Sequence, residues 1–364
     1  MSPKGAFPDL VSGRRPVGVV SFAQYDNVRR EDARNEVEML LPVVSEVFGN
    51  IGITKDDVGF ICSGSTDYLI GGPFSFVAAL DAVGVWPPRS ESHVEMDGAW
   101  ALYEAWIKIQ TGDVDSALVY SFGKSSPGDL PEVLALQLDP YTMTPLWPDA
   151  HSLAAIQARA FLAATGKSER DLAAVAARSR RSAIGNPHAV VSGEFEVEKL
   201  LAEPYVASPL RAHDLPPVAD GASALVMVAG ERARKLCERP VWIRGIDTRI
   251  EPQGLGVRDL ARSASTEIAA VKAGVHKGRV DLAELHAPYS HQELILRAAL
   301  GLGEGVLINP SGGALAGHPF MAAGLVRIGE AAARLQARTG DRAVAHATQG
   351  PCLQQNLVCV LEGD

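Results

Sequence analysis

NPSGGALAGHPFMAAGL fills residues 309–325, and it is written for a tight loop feeding a buried helix. Gly312, Gly313 and Gly317 let the backbone bend sharply and approach a ligand closely. Asn309 and Ser311 add polar groups to the same turn, and His318 stands where the loop would present it. The apolar run AAGLVRIGEAAARLQAR (322–338) then has helical spacing. Upstream, LAELHAP (282–288) reads as a buried strand and SHQELILRAALGL as the helix after it, which puts His286 and Tyr289 in one strand-to-helix turn. His291 lies in that helix and reads as structural. Downstream, RAVAHATQ and NLVCVLE read as strands, with His346 at the start of the turn HATQGPCLQQN (346–356) that also carries Cys352.

The first part of the chain has the same grammar. Strands are predicted at PVGVVSFAQ (16–24), DVGFICSGS (57–65), SHVEM (92–96), DSALVYSFG (115–123) and DGASALVMVAG (220–230). Helices are predicted at VEMLLPVVSEVFGNIG (37–52), FSFVAALDAVGV (74–85) and GAWALYEAWIKIQTG (98–112), the last closed by Gly112. Residues from about 124 to 217 break this alternation with Pro-rich, polar turns and two helical pieces, and read as an inserted cap or loop region. A second series opens with the strand PVWIRGIDTRIE (240–251) and the helix STEIAAVKAGV. Two β/α series with apolar strands predict layered α/β sheets, with one half over 1–239 and a second over 240–364. No GxGxxG follows the first strand, which argues against a dinucleotide fold.

Bulk composition bounds the function. The chain has 364 residues, 47% of them hydrophobic, enough for two cores or one large composite core. A net charge of −9 argues against broad binding to nucleic acid or anionic membranes. The 4 cysteines form no CxxC pair and have no metal-ligand spacing, so no metal site is expected and a reduced, cytoplasmic setting is. The opening MSPKGAFPDLVSGRRP lacks an apolar core, which predicts no signal peptide, and no apolar run reaches the length of a membrane span.

Three segments carry a resemblance to the thiolase superfamily, and within it to lipid-transfer proteins of the sterol carrier protein X type. NPSGGALAGHPFMAAGL resembles the family's NPSGG…GHP loop. RSRRSAIGNPHAVVSGEFEVEKLLAEPYVASPLRAHDLPPVADGASALVM (178–227) resembles its run from a helix through NP and PLR…D to DGAAA. ELHAPYSHQELI (284–295) resembles the lipid-transfer HDCF segment. The resemblance implies a five-layered αβαβα fold of two similar halves with an inserted loop domain. It also implies a dimer, or a heteromer with a thiolase-like paralogue or a small OB-fold zinc-ribbon partner. The substrate would be an acyl-CoA, with coenzyme A entering as part of it and no tightly bound cofactor.

The departures bear on chemistry. Aligned on Gly112, the family's nucleophilic cysteine falls on Glu95 and the motif's serine on Asp97. Cys352 is shifted from the family's C-terminal cysteine, and the GHP loop is one residue shorter. Glu95 reads either as the acidic cap of a helix start or as a general base whose pKa burial would raise. His286 and His318 match the loops that build the family's oxyanion hole, where each donor supplies about 3 kcal/mol. Tyr289 either packs or acts as acid or base, and His346 is a further catalytic candidate. Asn309, Ser311, Gly312, Gly313, Asp97 and Cys352 are substrate-binding candidates. Arg178, Arg180 and Arg181 are either CoA-phosphate contacts or a solvated helix face.

Three functions follow from the resemblance. One is retro-aldol cleavage of a β-hydroxyacyl-CoA, as in lipid and steroid side-chain degradation, needing a base and an enolate-stabilising site but no covalent nucleophile. Another is β-ketoacyl-CoA thiolysis, an acyltransferase reaction that would use a displaced cysteine. The third is a non-catalytic acyl-CoA-binding subunit of a larger assembly.

Overall fold

A computed structural model describes residues 14–70 and 74–364. Most of the opening stretch read for a signal peptide lies outside them. Strand by strand, the main sheet is built twice. The first series comprises β1 (Val17–Gln24), β2 (Phe60–Gly64), β3 (Glu91–Val94), β4 (Ser116–Gly123) and β5 (Gly221–Ala229). The second comprises β6 (Val241–Ile250), β7 (Leu282–Leu285), β8 (Leu307–Ile308), β9 (Arg342–Gln349) and β10 (Gln355–Gly363).

Their spatial order is β8-β7-β9-β10-β6-β1-β5-β4-β2-β3. Read outward from the middle, each half runs first, fifth, fourth, second, third strand. The pairing directions repeat too. The second strand is parallel to the third and fourth in each half, and the fifth is antiparallel to the fourth and first. Among the described residues the halves meet edge to edge through the pairs Gly18↔Trp242 and Val19↔Val241. The ten strands are therefore two five-stranded sheets sharing a short seam.

Helices complete the repeat. In the first half α1 (Glu36–Gly49), α2 (Ser75–Val83) and α3 (Gly98–Thr111) follow β1, β2 and β3. The insertion supplies α4 (Ala150–Thr165) and α5 (Glu169–Ser182). In the second half α6 (Ala264–Ala273), α7 (Ser290–Ala299) and α8 (Ala323–Gln336) occupy the matching places. The first helix ends at Gly49, earlier than its periodicity predicts, because Asn50 caps it and Gly52 turns the chain at φ +64°.

Alternation along the strands sorts side chains into layers. Phe60, Val119, Leu225 and Ala345 face a core shared with Ala101, Leu102 and Ala105 of α3 and Ile328 and Ala332 of α8. Ile61, Leu118 and Val226 face the other way, onto α1 and α2. Leu285, Val344 and Val358 face α6, α7 and α4. These are the five layers expected, with α3 and α8 enclosed between the sheets. A helix buried on all sides needs small residues: a Cβ on Gly329 of α8 would run into the Phe22 ring.

The enclosed helices begin side by side. Asp97 caps α3 by accepting from Ala99 N–H at 2.9 Å, and it also accepts from Gly324 N–H at 2.8 Å and Leu325 N–H at 3.1 Å in the first turn of α8. One carboxylate thus joins the starts of two helices that occupy equivalent places in the halves. No helix among the described residues is long and apolar enough to cross a membrane.

Candidate active site

The loop 309–321 lies on buried polar supports. Asn309, at φ +47°, accepts from Leu285 N–H at 2.6 Å and donates to Glu293 at 2.9 Å. Ser311 donates its backbone N–H and its hydroxyl to Glu284 at 2.9 and 2.7 Å. Arg327 of α8 completes the cluster, reaching Glu284 at 2.9 Å and Ser311 Oγ at 2.6 Å. Burial pushes the Glu284 carboxyl up, and Arg327 pulls it down. Gly312 and Gly313 both have positive φ, and the Gly312 carbonyl accepts from Ser179 of α5. The polar side chains of this loop therefore hold its shape.

His318 is pinned by the end of the insertion. His318–Pro319 pairs in parallel with Val218–Ala219, and His318 N–H donates to Pro217 O at 3.1 Å. Across the loop, Gly123 at the end of β4 lies so close to the Phe320 carbonyl that it has no room for a side chain.

This support brings His318 Nε2 to 2.9 Å from His286 Nε2, in a pair where each residue is 5% exposed. The proton positions follow from the neighbours. His286 Nδ1 accepts from Thr348 N–H at 3.3 Å, so the neutral ring carries its proton on Nε2. That N–H donates to His318 Nε2, which places the His318 proton on Nδ1. His318 Nδ1 is buried and has no hydrogen-bond partner among the described residues. Both rings stay neutral near pH 7. Burial lowers His286 well below the ordinary histidine value, with His318 and His346 adding to it, and burial and Arg327 lower His318 to about 4. The result is one unspent N–H in a buried, neutral pair.

His346 sits behind this pair. Its carbonyl accepts from His286 N–H at 3.2 Å, and its Nε2–H donates to Asn356 Oδ1 at 3.0 Å. Burial lowers its pKa to about 4. Asp97 is tied to the same strand end, donating its N–H to Gln349 Oε1 at 3.0 Å, while Gly98 N–H donates to Met321 O at 2.9 Å. Burial raises the Asp97 carboxyl to about 7 against the pull of its three amide donors and Arg327.

Tyr289 sits three residues beyond His286, at the start of α7. Its hydroxyl lies 3.0 Å from Nδ1 of His151, in the first turn of α4. Cys352 is close to this group; its thiol donates to Leu153 O at 3.4 Å and packs with Leu138. Burial pushes the Cys352 thiol up to about 11. His291 is buried, pushed down to about 3 by desolvation, and held at 3.1 Å by Gln157 Oε1.

Other candidates are engaged elsewhere. Glu95 is taken up by Thr66 Oγ1 and Asp67 N–H, both at 2.7 Å, and by His93 Nε2 at 3.2 Å. None of these bonds reaches the histidine pair. Arg178 is paired with Glu293, Arg181 donates to Glu194 at 2.7 Å, and Arg180 lies over the Phe195 ring at 4.8 Å. Sequence reasoning missed His151, Thr348 and Arg327. The first two have no local signal, because their partners lie 138 and 62 positions away. Arg327 reads as one polar residue in an amphipathic run.

Set beside solved structures, the chain matches the Ltp2-ChsH2(DUF35) aldolase with a TM-score of 0.80 at 18% identity, over 98% of this chain and 99% of that one. It matches human mitochondrial 3-ketoacyl-CoA thiolase with a TM-score of 0.76 at 16% identity, over 96% and 99%. This is a thiolase fold. No family model matches the chain, but curated proteins of thiolase and thiolase-like type do. Benzoylsuccinyl-CoA thiolase subunit BbsB of Thauera aromatica is 30% identical over 233 residues, 56% of this chain and 60% of that protein. Human sterol carrier protein 2 is 24% identical over 299 residues, 71% and 54%. The 17-hydroxy-3-oxo-4-pregnene-20-carboxyl-CoA lyase of Mycobacterium tuberculosis is 25% identical over 248 residues, 64% and 62%. The chain thus spans less than two thirds of the length of each of these relatives.

None of the four cysteines lies at the start of α3. Cys62 and Cys359 are fully buried with thiols pushed up by desolvation, Cys237 is raised by partial burial, and Cys352 is packed as described. At the start of α3, carboxylates stand at Glu95 and Asp97.

Proposed function

We propose that this chain cleaves a C–C bond in a β-hydroxyacyl-CoA by a retro-aldol reaction, without a covalent acyl-enzyme. The observation that carries the proposal is the combination of an unspent His318 N–H with the absence of a thiol at the start of α3. Thiolysis needs a thiolate, and a helix start normally supplies one by lowering a thiol's pKa. Here that position carries acids, and the four thiols are raised rather than lowered. Retro-aldol cleavage needs only a proton acceptor for the β-hydroxyl and a donor for the thioester enolate. The His318 Nδ1–H is suited to the enolate oxygen, and its neutral ring donates without itself losing the proton.

The bond changes balance with no co-reactant. The β-hydroxyl loses its proton, the Cα–Cβ bond breaks, and a carbonyl forms at Cβ. The electron pair passes to the thioester as an enolate, and Cα then takes a proton to give the shortened acyl-CoA. Tyr289, in the same turn as His286 and hydrogen-bonded to His151, is the group we assign to proton transfer at the β-oxygen. The lyase relative and the aldolase structure support this chemistry by similarity, and the aldolase's name supports testing a DUF35-type partner.

The test is product analysis on two CoA thioesters, with the chain alone and with a small OB-fold zinc-ribbon partner. We expect ketone and shortened acyl-CoA from a tertiary β-hydroxyacyl-CoA in the absence of free CoA. Cleavage only of a β-ketoacyl-CoA, and only with free CoA, would establish thiolysis instead. No turnover of either substrate would leave the chain as a binding subunit.

A further inference from the structure

We infer that His151, contributed by the insertion, accepts the proton that Tyr289 takes from the substrate, so that the inserted segment completes a proton relay for the second half of the fold. The inference deepens the retro-aldol proposal and rests on it. It starts from a contact between distant parts of the chain: the Tyr289 hydroxyl lies 3.0 Å from His151 Nδ1 across 138 positions. Both ends are held. Asp149 caps α4 and accepts from His151 N–H at 2.9 Å, while Tyr289 N–H donates to Gln292 Oε1 at 3.2 Å. Behind them, Gln157 of α4 accepts from Gln292 Nε2 at 2.9 Å and from His291, and it donates to Cys352 O at 3.2 Å. The start of α4 is therefore docked onto the start of α7 by a buried amide network.

The chemistry explains why Tyr289 needs a partner. Desolvation first, then the neighbouring Cys352 and Asp149, raise its hydroxyl above the ordinary tyrosine value. Such a phenol is a poor base by itself. It moves a proton only by passing its own proton on as it receives another. Desolvation lowers His151, so its ring is neutral near pH 7 and has a lone pair to offer. In the forward step the β-hydroxyl proton goes to Tyr289 Oη while the Tyr289 proton goes to His151 Nδ1. The Cα–Cβ bond breaks and its electron pair enters the enolate. The imidazolium then returns its proton through Tyr289 to Cα, and both side chains are restored. His151 acts through Tyr289 and never needs to touch the substrate.

Three variants separate a relay from a merely structural contact. His151→Ala removes the acceptor. His151→Asn keeps a hydrogen-bond acceptor for the Tyr289 hydroxyl but cannot take up a proton. Tyr289→Phe removes the other end. On the tertiary β-hydroxyacyl-CoA we expect all three to lower kcat about 100-fold or more with KM within about threefold. Added imidazole should restore part of the rate of His151→Ala but none of Tyr289→Phe. Recovery of the wild-type rate in His151→Asn, or an unchanged kcat in His151→Ala, would overturn the relay. A second readout is independent of turnover. In the full chain labelled with 15N-histidine, His151 should show the Nε2–H tautomer, with Nδ1 accepting a hydrogen bond that Tyr289→Phe abolishes. An Nδ1–H tautomer would sink the relay even if the wild type cleaves. If the wild type fails to cleave while the tautomer is as expected, the fault lies with the retro-aldol assignment.

Discussion

His318 and Cys352 are both buried, and their chemistry differs because their neighbours do. His318 ends a hydrogen-bond sequence that starts at Thr348 N–H and passes through His286, leaving Nδ1–H without an acceptor. Cys352 spends its S–H on Leu153 O, and its thiol stays protonated at neutral pH because burial raises it to about 11. Substitution should therefore separate them. His318→Ala should lower kcat for retro-aldol cleavage by about 100- to 1,000-fold, the usual effect of losing one oxyanion donor. Cys352→Ser should leave kcat within about twofold, and iodoacetamide should not inhibit. Steady-state kinetics on the two variants decides it, and thiol-dependent turnover would overturn the assignment.

At the scale of elements, the histidine pair exists because a loop is clamped from two sides. Val218–Ala219 pairs with His318–Pro319, and β4 ends on a glycine whose missing side chain admits the Phe320 carbonyl. A methyl group at Gly123 has nowhere to go. Gly123→Ala should destabilise the fold by about 1–3 kcal/mol, the usual cost of overpacking. It should also lower kcat by about 100-fold by displacing His318 by about 1 Å. A urea titration together with kinetics tests both expectations. Full activity with unchanged stability would show that the loop is free to move.

At the scale of the molecule, buried ionisable groups set the pH response. Desolvation lowers His286, His291, His318 and His346 below 6.5, while burial raises Asp97 above 3.8. A histidine depressed in the fold is protonated only in the unfolded chain between its two pKa values. Its contribution to stability is therefore lost as pH falls from about 6.5 toward about 4, at about 1.4 kcal/mol per pH unit. Asp97 has the opposite sign: the unfolded chain releases its proton first, so its contribution weakens as pH rises from about 4 to about 7. Burial also lowers His151 and raises Glu91, Asp214, Asp247 and Glu284, so the two signs oppose each other across the fold and substitution separates them. Urea midpoints measured from pH 4.5 to pH 6.5 read each group as a difference from the parent chain. Asp97→Asn should shift the slope of midpoint against pH in the positive direction relative to the parent chain, and an unchanged slope would mean that Asp97 titrates alike in the folded and unfolded chain.

The amino-acid sequence by itself determined the alternating strands and helices, the break near 124–217, and the loop that presents His318. Each of these depends on neighbours a few positions away: apolar periodicity, a glycine where the backbone must bend, a helix start or stop. It also located the turn carrying both His286 and Tyr289, since strand and helix patterns change there. Only the tertiary structure decided which atoms of those residues are free. The His286 tautomer is set by an amide 62 positions away, and Tyr289 meets His151 across 138. Glu95 could not be sorted from Asp97 by counting. Their separate environments come from Thr66, Asp67 and His93 for one and from the start of α8 for the other. The physical reason is common to all three. Periodicity records which face of an element is buried, whereas a proton's position depends on the partner that the packing of two halves and an insertion brings to it.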